Sequence, residues 1–68
     1  MTPPSGGEFC GFLERHGWAL ARIKGSHHIY KKPGVMALLT VPVHGGTPLK
    51  KGLFLSLLAQ SGLSWPLS

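Results

Sequence analysis

Glycine and proline punctuate this chain so often that no regular segment can run far. Turn or stop signals fall at Gly17, Gly25-Ser26, Pro33-Gly34, Gly45-Gly46 and Ser61-Gly62. These residue types supply left-handed or fixed backbone angles that helices and strands do not tolerate in their interiors. Between the signals, Phe9, Phe12 and Leu13 recur at helical spacing, which predicts a helix over residues 7–16. Ser5 is its candidate N-cap, with Glu8 placed to close a capping box. Residues 18–24, 27–32 and 37–43 read as strands, the third cut short by Pro42, which has no N–H for a ladder. Thr47-Pro48 resembles a helix start, but Gly52 argues for a start nearer Lys50, with the second helix over residues 53–60. Residues 1–6 read as a flexible tail, and residues 63–68 as a short closing one.

The predicted order is therefore α-β-β-β-α in a single α+β domain over residues 1–68. Short connections favour a three-stranded antiparallel sheet with two helices on one face. The other sheet face stays open to solvent. Neighbouring strand residues point to opposite faces, so if Tyr30 packs inward with Val41, His27 and His44 look outward. Arg22 and Lys24 can flank them. Trp18 and Phe54 read as core.

The charge is lopsided. Lys and Arg number 7 against two acids, Glu8 and Glu14, for a net charge of +5. No carboxylate pair is available for glycoside cleavage, a two-metal nuclease site or a calcium loop. One cysteine, Cys10, excludes an internal disulfide framework and a cysteine-rich zinc module. No apolar stretch approaches the ~20 residues of a membrane span, and the N-terminus lacks a signal peptide's charged start and apolar run. A cytoplasmic protein with Cys10 reduced is the expectation.

Such a surface prefers polyanions. Imidazoles exchange protons near neutral pH, cations stabilise phosphate charge, and RNA brings its own nucleophile, the 2′-hydroxyl. These tools cleave RNA without a metal or other cofactor. Rival sites are poorer. Ser26 and His27 diverge as strand neighbours and no Asp orients the ring; Cys10 sits beside core residues; His27 and His28 point apart and do not share one zinc. A non-catalytic RNA-binding module shares all these features.

Four blocks of sequence carry a resemblance: Gly25-Ser26-His27-His28-Ile29-Tyr30, Val41-Pro42-Val43-His44-Gly45, Leu49-Lys50-Lys51-Gly52 and Gln60-Ser61-Gly62-Leu63, with Leu13-Glu14-Arg15-His16-Gly17-Trp18 ahead of them. In this order and spacing they resemble the HicA (YcfA-like) toxin family over residues 7–64. The resemblance implies a double-stranded-RNA-binding-domain-like fold and a toxin of a type II toxin–antitoxin system. It implies an mRNA interferase, neutralised by a HicB-like antitoxin and monomeric outside that complex. The family's catalytic histidine directly follows the Gly-Ser pair and falls on His27. Lys24, Gly25, Ser26, Lys31, His44, Lys50 and Lys51 are the expected RNA contacts, with Gly25 allowing close backbone approach. His44 either orients substrate or caps the strand–helix junction. Leu53 and Leu55 stand where the family usually has Thr and a basic residue, a greasier helix suited to an antitoxin interface or self-association. A degenerate toxin that only binds its antitoxin is the remaining alternative.

Overall fold

A computed structural model describes residues 2–66; Met1, Leu67 and Ser68, at the outer ends of the lead-in and tail, lie outside the described residues. The elements are α1 (Gly6–Arg15), β1 (Ala19–Lys24), β2 (His27–Lys32), β3 (Val35–Pro42) and α2 (Lys51–Ser61). The sheet order is β1-β2-β3, antiparallel throughout. The expected α-β-β-β-α order and α+β class hold.

Helix α1 starts where its cap dictates. The Ser5 hydroxyl accepts from the Glu8 backbone N–H at 3.2 Å, and the Glu8 carboxylate accepts from the Ser5 N–H at 2.8 Å. This closed box makes Gly6 the first helical residue. Of the lead-in read as a tail, Pro4 is buried and its carbonyl accepts from the Leu49 N–H at 2.8 Å. Ser5 forms an isolated bridge with Pro48. That bridge explains the late start of α2. Residues around Thr47-Pro48 are held extended against the lead-in, so Lys50 rather than Thr47 occupies the N-cap position. Gly62 ends α2 with φ of 72° in the left-handed region, its N–H donating to the Ala59 carbonyl.

One core fills the space between the sheet and both helices. Phe9, Phe12 and Leu13 of α1 and Phe54 and Leu57 of α2 pack with Trp18, Tyr30, Leu39 and Val41. Burial of a large apolar side chain contributes about 1.5–3 kcal/mol, so these residues supply most of the favourable free energy of so small a domain. Trp65 of the tail joins them, its ring centroid 4.7 Å from Phe12 and 5.3 Å from Phe54. The tail thus closes the open end of the core.

The register sorts the two sheet faces. Tyr30 pairs with Leu39, and His28 with Val41, all on the helix side. Ile29 pairs with Thr40, and His27 with Pro42, on the side away from the helices. Strand β1 does not alternate strictly: Leu20 pairs with Tyr30 but Arg22 pairs with Ile29, leaving Ala21 as a bulge. The bulge reverses the pleat. Trp18 and Leu20 therefore stay on the helix side while Arg22 and Lys24 turn to the open face.

Candidate functional site

His27 opens strand β2 at one end of the open face. It is exposed, and its Cα partners are Lys24 on β1 and Pro42 on β3. Gly25-Ser26 forms the turn that delivers it. Gly25 takes φ of 61°, and a Cβ there would meet nothing within 4 Å. Backbone conformation, rather than crowding within the chain, calls for glycine at this position. The Ser26 carbonyl accepts from the Val43 N–H at 2.8 Å. This bond carries the β2–β3 pairing past Pro42 and ties the hairpin turn to the chain leaving β3.

That tie brings two distant sequence blocks together, residues 25–30 and 41–45. The third block follows through a shared hollow of about 310 Å³. His44 and Lys50 line it together with Pro42, the residue paired with His27. Leu49, Pro48 and Leu53 complete its apolar wall, and Thr47 lies at its edge. Lys50 presents no side-chain cap to α2, and no acidic residue stands in that helix's first turn. A lysine pair here opposes the helix macrodipole, at about 0.3–1 kcal/mol each.

Not every expected RNA contact gathers here. Lys24, Gly25, Ser26, His27, His44 and Lys50 converge on one end. Lys31 shares the face of His27 but stands four residues along β2, about 13 Å away at the usual strand rise. It lines a second hollow of about 440 Å³ with Ala19, Pro33, Val35 and Leu38. Lys51 is exposed at the first position of α2 and does not line the His44 hollow. The contribution of Arg22 depends on the bulge. Counting forward from the buried Trp18 in steps of two puts Arg22 and Lys24 in the core, and that conflict is the sequence signal for an irregularity between Trp18 and Arg22.

The remaining reactive groups lie elsewhere. Cys10 is buried, and burial pushes its thiol pKa up, partly offset by a hydrogen bond with Tyr30 and reinforced by the Glu14 charge. A protonated, enclosed thiol is a poor nucleophile. The Tyr30 hydroxyl donates to Glu14 Oε2 at 2.6 Å. Burial and then this hydrogen bond push its pKa up as well. His28 is half-buried on the helix side, opposite in facing to His27. Among the described residues, no three His, Cys, Asp or Glu side chains gather closely enough to hold a metal ion. No described helix is long and apolar enough to cross a membrane.

The exposed His27 thus stands with Lys24 as its β1 partner and Pro42 as its β3 partner, and Pro42 leads into the hollow that His44 and Lys50 line. The family model described as HicA toxin of bacterial toxin-antitoxin matches residues 6–63. No curated protein matches the chain.

Proposed function

The chain belongs to the HicA toxin family and is thus a toxin of a toxin–antitoxin system; from that premise we propose that it is a metal-independent endoribonuclease acting on mRNA in the cytoplasm and silenced by a HicB-like antitoxin. His27 is the catalytic residue. Its imidazole takes the proton of a ribose 2′-hydroxyl as the oxygen attacks the adjacent phosphorus. The new O2′–P bond forms as the P–O5′ bond breaks, and the departing oxygen takes up a proton. A 2′,3′-cyclic phosphate and a free 5′-hydroxyl result. Lys24 and Lys50 hold the backbone and stabilise charge developing on the phosphoryl oxygens. Gly25 and Ser26 present the histidine, while Lys31 extends the cationic track along β2 and Lys51 adds a charge at the start of α2.

The observation that carries this reading is the position of His27. It is exposed on the helix-free face with Lys24 as its strand partner. An imidazole beneath the helices would have left only a passive binder.

The test is His27→Ala. Removing a general acid or base costs about 10²–10⁴-fold in rate. We expect RNA cleavage and growth arrest on induced expression to fall by that order while the thermal midpoint stays unchanged. Undiminished cleavage by a folded His27→Ala protein refutes the assignment. Salt-sensitive RNA binding by the wild type with no products would instead favour the non-catalytic module.

A further inference from the structure

The geometry points to a nucleobase subsite in the hollow between His44 and Leu53, holding the base next to the phosphate at His27. This inference rests on the nuclease reading for the identity of its ligand as RNA. The hollow's 310 Å³ lies at the small end of ligand pockets, which run from about 300 to 1,000 Å³. That volume suits one planar heterocycle rather than a helix or an extended peptide.

Its lining has the composition a base requires. Pro42, Pro48 and Leu53 offer apolar walls over the buried Leu49. His44 supplies a ring for stacking and an edge with nitrogen atoms for hydrogen bonding, the two modes by which single-stranded RNA bases are held. Lys50 brings a cation for the attached phosphate, and no carboxylate lines the space. The charge complementarity therefore selects a nucleotide over an acid-seeking cation or a basic peptide. Leu53 is left 37% exposed on the first turn of α2, an apolar side chain at the mouth of the hollow. Stacking beneath a base gives that exposure a use. Pro42 belongs both to this hollow and to the strand pair with His27, so a base held here stays within a nucleotide's reach of the imidazole. It follows that cleavage has a base preference, set by His44, Thr47 and Leu53.

The experiment uses the full chain with labelled methyl groups and four uncleavable 2′-O-methyl tetranucleotides, one for each base. We expect intermolecular NOEs from base protons to the Leu49 and Leu53 methyls, and an affinity spread of about tenfold among the four, the size of one base-stacking contact. Leu53→Trp, which fills the hollow, should abolish the NOEs and most of the spread. His44→Ala, which leaves the hollow open, should weaken the preferred base most. Unmodified RNA is incubated in parallel. RNA binding without any NOE at Leu49 or Leu53 overturns the subsite, and continued cleavage in that case leaves the nuclease reading standing. NOEs in the hollow without cleavage support the subsite and overturn the nuclease. Failure of all four oligonucleotides to bind overturns the subsite as well.

Discussion

Two adjacent glycines at the start of α1 should respond in opposite directions to the same added methyl group. A Cβ on Gly6 would fall inside the van der Waals envelope of the Pro42 carbonyl oxygen, with the Pro42 carbonyl carbon and the Val43 Cα each at 3.0 Å. All three neighbours are backbone, so no side chain can swing away. Overpacking of this kind costs typically 1–3 kcal/mol, and a backbone obstacle puts Gly6→Ala at about 3 kcal/mol. A Cβ on Gly7 meets nothing within 4 Å. There the substitution only restricts the unfolded chain and adds helix propensity, stabilising by about 0.4–1 kcal/mol. The two variants should differ by about 4 kcal/mol. In a domain of this size each kcal/mol moves the thermal midpoint by roughly 4–8 °C. Thermal melts by circular dichroism should show Gly7→Ala slightly above wild type and Gly6→Ala lower by more than about 10 °C. Pro42 is also the strand partner of His27, so residual folded Gly6→Ala should cleave RNA more slowly than wild type. Coincident melts for the two variants would refute the claim that α1 is docked by contact of Gly6 with the end of β3.

Three further outcomes follow from the geometry. Cys10 and Tyr30 both have pKa values raised in the fold, so their contribution to stability is complete below about pH 8.5 and falls as pH rises, because the unfolded chain releases those protons first. The loss is at most about 1.4 kcal/mol per pH unit for each group, and denaturant titrations between pH 8 and 11 should show a shallower decline for Tyr30→Phe above pH 10. Lys50→Asp gives α2 a capping side chain in place of a cation; it should raise stability by about 1 kcal/mol, weaken RNA binding and lower the salt slope by about one. Unchanged RNA affinity would remove Lys50 from the interface. Deleting Ala21 removes the bulge and makes Leu20 and Arg22 direct neighbours on opposite faces, so Arg22 and Lys24 keep the open face and RNA binding should be retained, with folding checked by methyl spectra; loss of binding by the folded deletion variant would refute the facing assigned to Arg22 and Lys24.

Much of this architecture is legible in the amino-acid sequence. Ser5 and Glu8 announce the start of α1, and the Gly and Pro signals separate the three strands, because caps and turns depend on a few residues close in sequence; β3, expected over residues 37–43, starts at Val35 directly after the Pro33-Gly34 turn and ends at Pro42. The core-facing set Tyr30, Leu39 and Val41 followed from strand parity. Features that need long-range contacts were not legible. Gly52 points to a start of α2 near Lys50, as found, but the physical reason, Pro48 bridging to Ser5, is announced by nothing near Thr47. Trp65 reads as part of a short tail, yet it stacks on Phe9 with ring centroids 6.0 Å apart. The His44 hollow was invisible for the same reason, since it is assembled from the end of β3, the loop after it and the first turn of α2. Strand parity puts His27 on the open face, but the bulge that turns Arg22 and Lys24 to the same face appears only as a conflict of parity with Trp18.

The chain's scarcity of acids takes on a mechanical sense once the two carboxylates are located. Glu8 is consumed in the Ser5 capping box, and Glu14 accepts from Tyr30 across the α1–sheet interface. Both therefore belong to the helix layer. The open face carries Arg22, Lys24 and Lys31 with no carboxylate among their strand neighbours. A carboxylate beside His27 would repel the phosphodiester and compete for the lysines. Keeping both acids in structural roles on α1 leaves the sheet's outer surface cationic at no cost in helix capping. Glu14, which ties α1 to Tyr30 of β2, and Glu8, which caps α1, thus leave the opposite side of that strand with the positive field that the proposed RNA site requires.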